Sequence, residues 1–114
     1  MIVNSETILS NQAHPGDSSI QSVTGSMYKG DGFYNRSDGF HTTQFNLSNF
    51  LGNIIIQATL ATTPAEEDWF DISDTLITNG DGSQIKNFVG NYVWVRVKVS
   101  NWTAGSISSI LLNH

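Results

Sequence analysis

The strongest pattern in the chain lies in residues 92–100, where Val93, Val95, Val97 and Val99 alternate with Tyr92, Trp94, Arg96 and Lys98. Successive side chains of an extended chain point to opposite faces, so this period of two predicts a strand with its valine face in a core. Residues 53–61 repeat the pattern, with Ile54, Ile56, Ala58 and Leu60 on one side and Ile55, Gln57 and Thr59 on the other, apolar enough for a central strand. Residues 106–112 read as a closing strand. The segment Asn101-Trp102-Thr103-Ala104-Gly105 before it reads as a turn whose glycine tolerates positive φ, so the C-terminal third is predicted to be a hairpin.

Weaker strands are predicted over residues 19–24, 41–47, 68–72 and 84–89. The turn signals Gly30-Asp31-Gly32, Ser37-Asp38-Gly39 and Asn79-Gly80-Asp81-Gly82 punctuate them. No segment carries a sustained i, i+3, i+4, i+7 apolar spacing, and no helix longer than two turns is expected. Seven or eight short strands predict an all-β fold of two packed antiparallel sheets. Residues 1–18 hold the apolar pairs Ile2-Val3 and Ile8-Leu9 and then His14-Pro15-Gly16, which fits either an edge strand or an arm reaching a neighbour. Residues 19–114 make the sandwich, and with no repeat and no linker one domain covers the chain.

Composition narrows the function. Charged residues are only 13% of the 114, and Ser, Thr, Asn and Gly supply the polarity, which disfavours helix interiors. Aromatic residues at 11% can build a dense core where aliphatics are sparse. The formal charge of −5 repels phosphate backbones and anionic bilayers, so neither nucleic acid nor membrane is expected as a partner. Cysteine is absent, which removes disulfides, thiolate nucleophiles and cysteine-ligated metals. No charged leader precedes an apolar stretch and no window approaches the roughly 20 apolar residues of a span, so a soluble chain without a secretory signal is expected. The Asn-x-Ser/Thr matches at Asn35, Asn46 and Asn101 are read as composition.

Catalytic chemistry finds little support. Glu66, Glu67, Asp68, Asp71 and Asp74 could offer calcium ligands or paired carboxylates, but on a strand over residues 68–72 Asp68 and Asp71 point to opposite faces. A solvated rim is the better account. Asp31, Asp38 and Asp81 sit beside glycines without the oxygen spacing of a calcium loop and read as turn residues. His14, His41 and His114 share no ligand spacing, and no Gly-x-Ser-x-Gly elbow or phosphate-binding glycine loop occurs. A non-enzyme without cofactor or metal is expected. Trp102, placed in the predicted hairpin turn, is costly to leave in water and calls for a subunit contact, packing on its own sandwich, or stacking on a sugar. Tyr28, Phe33, Tyr34 and Phe40 gather in a glycine-rich segment that fits an adaptable contact surface or a loop pinned to the core. Trp69 and Trp94 lie in strand-like phrases and read as sandwich residues.

The phrase Asn49-Phe-Leu-Gly-Asn-Ile-Ile-Ile-Gln-Ala-Thr-Leu-Ala, followed by Asp68-Trp-Phe-Asp-Ile72, resembles a pattern of small β-sandwich modules in tailed-bacteriophage virion proteins. The phrase Tyr92-Val-Trp-Val-Arg-Val-Lys-Val-Ser with Gly105 is similar to the final hairpin of those modules, which are related to galactose-binding, discoidin-like jelly rolls. The likeness spans roughly residues 40–112. It departs at Ala61-Thr-Thr-Pro-Ala-Glu-Glu67, where relatives carry a tight Asp-Gly turn. The resemblance implies an antiparallel sandwich of jelly-roll type and a non-enzymatic structural or accessory virion protein, for capsid decoration or at the tail or baseplate, assembled in the bacterial cytoplasm. Its expected partners are its own copies, with a trimer favoured because a closed ring covers edge strands, and a larger virion protein. The alternative is a carbohydrate-binding module recognising host surface glycans.

Overall fold

A computed structural model describes residues 5–33 and 39–113. Its strands are β1 (Ser5–Leu9), β2 (Gln12–Ala13), β3 (Gln21–Thr24), β4 (Tyr28–Lys29), β5 (Phe40–Thr59), β6 (Phe70–Val89) and β7 (Trp94–Asn113), all paired antiparallel, with one 3-10 turn at Glu66–Asp68. The β-branched and aromatic alternation read from residues 41–47, 53–61 and 92–100 places a strand at each position. The outcome is the all-β sandwich expected from the sequence.

The strands differ from expectation in length. β5, β6 and β7 are 20 residues each, and every one fuses two of the short strands predicted separately. The hairpin predicted for the C-terminal third is therefore corrected: residues 94–100 and 106–112 are halves of one strand, and both pair with β5 rather than with each other. Turn residues such as Asn101 and Gly105 bend the strand without reversing it, because each local departure is bridged by ladder bonds resuming on both sides.

The bends line up across the three strands. Among the described residues, the non-glycine positions with positive φ are Asn49 (50°), Asn79 (53°) and Asn101 (51°), one per long strand. Asparagine visits the left-handed region at low cost. Side-chain bonds tie this crease together: Asn49 N donates to Asp81 Oδ1 and Gly52 N to Asn79 Oδ1, both at 2.9 Å. In β5 the buried positions run His41, Thr43, Phe45, Leu47 and then Phe50, Ile54, Ile56, Ala58, so one extra residue at the bend switches the buried parity.

The crease divides the molecule into two layers. On one side β1 and β2 pair with the second half of β7, which pairs with the first half of β5 and, through it, the second half of β6. On the other, β3 and β4 pair with the first half of β7, followed by the second half of β5 and the first half of β6. Counted by halves, the three long strands give six short ones and β1 to β4 add four, ten against the seven or eight read from the sequence. The described part of the N-terminal segment thus forms edge strands β1 and β2.

One core joins the layers: Ile8, Phe45, Phe50, Ile54, Ile56, Val95, Val97, Val99, Trp102, Ile107, Ile110 and Leu112 are all nearly solvent-free. Trp102 is 2% exposed. Its ring meets Phe50 at 5.9 Å and the edge of His14 at 5.7 Å, and its Nε1 donates to Ala104 O at 2.9 Å. Of the three roles open to it, packing on its own sandwich is the one seen. Burying the ring with its N–H satisfied makes Trp102 a keystone of the crease.

His41 braces one end of the sandwich. It is buried and stacked on Phe88 with centroids 4.6 Å apart. Nε2 accepts from Asp31 N at 3.3 Å, which leaves the proton on Nδ1 to donate to Gly39 O at 2.9 Å.

Two glycines separate backbone strain from crowding at the crease. Gly82 (φ 80°) faces open space, whereas a Cβ on Gly105 (φ 87°) would lie 2.2 Å from Asn49 O. Gly82→Ala should cost about 1–2 kcal/mol and Gly105→Ala clearly more, while Trp102→Ala should cost about 3–5 kcal/mol, all read by equilibrium denaturation. Equal costs for the two glycines would contradict the close approach of β5 and β7.

Candidate functional site

The alternation that turns the valines of β7 inward turns Trp94, Arg96 and Lys98 to the outer face of the second layer. Register adds their neighbours. Lys29 and Thr59 flank Trp94, Gln57 lies beside Arg96 with Asp71 beyond it, and Ile55 and Thr24 flank Lys98. Trp69, just before β6, and Asp71, near its start, complete the rim.

Arg96 is the centre of this face. It is 7% exposed, so its charge needs compensation, and each part of the guanidinium has a partner. Nε donates to Gln57 Oε1 at 2.8 Å, while Nη2 and Nη1 donate to Glu66 Oε1 and Oε2 at 2.7 and 3.1 Å. The plane lies 4.4 Å from the centroid of the Trp69 ring. Gln57 extends the chain by donating from Nε2 to Asp71 Oδ1 at 2.8 Å. Arg96 holds the Glu66 carboxyl below the usual glutamate range by hydrogen bonding, against a smaller opposing effect of desolvation.

Glu66 reaches Arg96 from residues 60–69, a strap that leads from β5 to β6. The 3-10 turn is closed by Asp68, whose N donates to Ala65 O at 3.0 Å and whose Oδ2 accepts from Ala65 N at 2.8 Å. The near end of the strap is fastened by Trp94 Nε1, donating to Thr62 O at 3.0 Å, and by Ala61 N, donating to Thr59 Oγ1 at 3.1 Å. Trp94 then meets Phe33 at 5.2 Å, and Lys29 Nζ lies 4.6 Å over the Phe33 ring. Phe33 and Trp94 therefore meet as a pair of rings on this face, and Trp69 stacks on Arg96 beside a row of amide and carboxylate groups.

The five contact candidates read from the sequence scatter. Phe33, 43% exposed, belongs to this face. Tyr28 is half-buried against the core, and Trp102 lies inside it and presents no contact surface. Phe40 is exposed on the outer face of the other layer, in register with exposed Val89 and on the same side as exposed Ile85. Tyr34 lies outside the described residues. Sequence reasoning read Glu66 only as part of a solvated acidic rim, passed over Arg96 and Gln57 as site residues, and treated Trp69 and Trp94 as sandwich residues without their outward aspect. The signal was the parity of residues 92–100, which sets Trp94 and Arg96 opposite the valines.

The acidic run does not converge, since Glu66 and Asp71 reach opposite ends of the Gln57–Arg96 pair. Among the described residues no three His, Asp or Glu side chains gather as a metal site. The other outer face carries an amide ladder instead: Gln44 and Ser83 donate to Asn46 Oδ1, and Asn46 Nδ2 donates to Ser109 Oγ.

No family model matches the chain, and no curated protein matches it. Among solved structures the fold is similar to chitosan-binding module 2, determined with chitotriose, of a chitosanase/glucanase from Paenibacillus sp. IK-5. That match has a TM-score of 0.57 and 14% identity over 95% of this chain and 80% of that one. A family 29 carbohydrate-binding module from Piromyces equi gives 0.48 and 12% over 100% and 93% of the two chains. The SPBc2 prophage-derived protein YomS gives 0.45 and 13% over 99% and 96%. What the first of these likenesses supports for the chain is the β-sandwich fold alone.

Proposed function

We propose that the chain is a non-catalytic carbohydrate-binding β-sandwich whose sugar platform is the outer face built around Trp69, Trp94 and Arg96. A pyranose presents an apolar C–H face and a polar hydroxyl rim, and a surface that recognises it pairs a flat ring with oriented hydrogen-bonding groups. The observation that carries the reading is Trp69, which rests on buried Arg96 and shares its face with Asp71, itself oriented by Gln57. Groups already held in place lose little freedom on binding. Trp94 and Phe33 extend the platform toward a further sugar unit. The similarity of fold to a chitosan-binding module supports the reading at the level of architecture.

Isothermal titration against neutral and amino-sugar oligosaccharides is the test. Trp69→Ala should weaken binding about tenfold or more while the melting temperature stays within a few degrees, as for truncation of an interface anchor. Absence of any sugar binding by the unaltered protein would reject the platform.

A second reading places the chain on a phage particle as an accessory subunit, found in the virion and assembled in the bacterial cytoplasm, as the sequence resemblance implies. Exposed Phe40, Ile85 and Val89 on the other outer face support it, together with β6, a 20-residue edge that among the described residues pairs only with β5. Self-association, as a trimer, and docking on a larger virion protein would cover both. Sedimentation velocity should show a concentration-dependent trimer that Ile85→Lys shifts toward monomer. A monodisperse monomer at high concentration that also fails to bind particles would remove this reading.

A further inference from the structure

We propose that the Arg96–Glu66 pair is a latch that positions Trp69 for its ligand, so that affinity for an uncharged sugar depends on ionic strength. The inference rests on the carbohydrate reading above and deepens it. Three observations carry it.

The anchor is rigid and the partner is not. Arg96 is buried in the sheet with Nε fixed by Gln57, whereas the Glu66 side chain is 72% exposed at its outer end. The strap is fastened to the sheet at Thr62 and Ala61 and again at Glu66, three residues before Trp69. Because the 3-10 turn links Glu66 directly to Asp68, whose side chain closes it on Ala65, release of Glu66 frees the segment carrying the Trp69 ring.

The guanidinium also performs two tasks with one plane. Its fork takes both carboxylate oxygens of Glu66 while its face supports the indole, so loss of the first misaligns the second. Arg96 touches no sugar in this arrangement; it is a positioning residue, and Trp69 makes the contact.

The ion pair is open to solvent at its Glu66 end and is screened by salt from there, whereas stacking of a neutral sugar on a ring is not. Salt sensitivity toward an uncharged ligand therefore reports the latch. Acid acts in the same direction: with its carboxyl held below the ordinary value, Glu66 keeps the latch complete above that value and loses it as pH falls through the lowered one. The charged groups acting on it are Arg96 and Lys98 from the sheet; Glu67 and Asp68 are its chain neighbours on the strap, and Asp71 lies at the far end of the Gln57–Arg96 pair, so salt is the cleaner variable.

The experiment compares the unaltered protein with Glu66→Gln and Arg96→Lys, titrated with the best-binding neutral oligosaccharide at low and at about 1 M salt. The unaltered protein should lose about two- to fivefold in affinity with salt, as for an ion pair exposed at its Glu66 end. Glu66→Gln should start lower by the same factor and stay flat, with its melting temperature little changed. Arg96→Lys, which keeps the charge and loses the fork, should follow it. Glu66→Gln binding with unaltered affinity and unaltered salt dependence would overturn the latch.

Tryptophan emission separates this from the fate of the sugar reading. Glu66→Gln or high salt should shift emission to the red, and the shift should vanish in a Trp69→Phe background. A protein that binds no sugar yet shows the shift retains the latch and loses the platform. Emission unchanged by Glu66→Gln overturns the latch, whether or not sugar binds.

Discussion

The structure depends on a conflict between the length of its strands and the period of a pleat. A strand alternates its faces strictly, so twenty uninterrupted residues can serve one flat face but not two layers that share a core. Three asparagines in the left-handed region, one per long strand, resolve the conflict at a common level of the sheet. They let the chain bend and change parity while the ladder resumes on either side. Trp102 fills the space beneath the bend, which explains why a large ring sits in what reads locally as a turn.

The same alternation builds the candidate site. Once the valines of β7 are committed to the core, Trp94, Arg96 and Lys98 have only the outer face available. An arginine there is tolerable at low exposure because Gln57 and Glu66 satisfy its donors and Trp69 covers its plane. The polar row on this face is thus a consequence of covering a charge on a strand whose other side is fully apolar. A hydrogen-bonded row of this kind gives a surface direction and specificity more than it gives the fold stability.

Much of the secondary structure was legible because alternation is a local signal. The strands over 41–47, 53–61 and 92–100 follow from their own side chains, and so does the placement of Trp69 and Asp71 on one face. The fusion of these strands was not legible. Asn101 to Gly105 and Asn79 to Gly82 have the composition of reversals, and only pairing with β5 on both sides decides that the chain bends and continues. Trp102 was misplaced for the same reason, since its surroundings come from Phe50 and His14, far away in sequence. The Arg96–Glu66 contact was hidden because it joins positions 30 residues apart through an irregular strap.

The position of β7 has a consequence for how the chain matures. β1, β2, β3 and β4 pair with β7, which follows all of them, and β1 reaches its final residues. During synthesis these early segments emerge without their hydrogen-bonding partners and must wait for β7 to leave the ribosome. Folding is therefore a late, concerted closure, and the short, polar, interrupted character of the early strands keeps them from pairing with other chains during that wait.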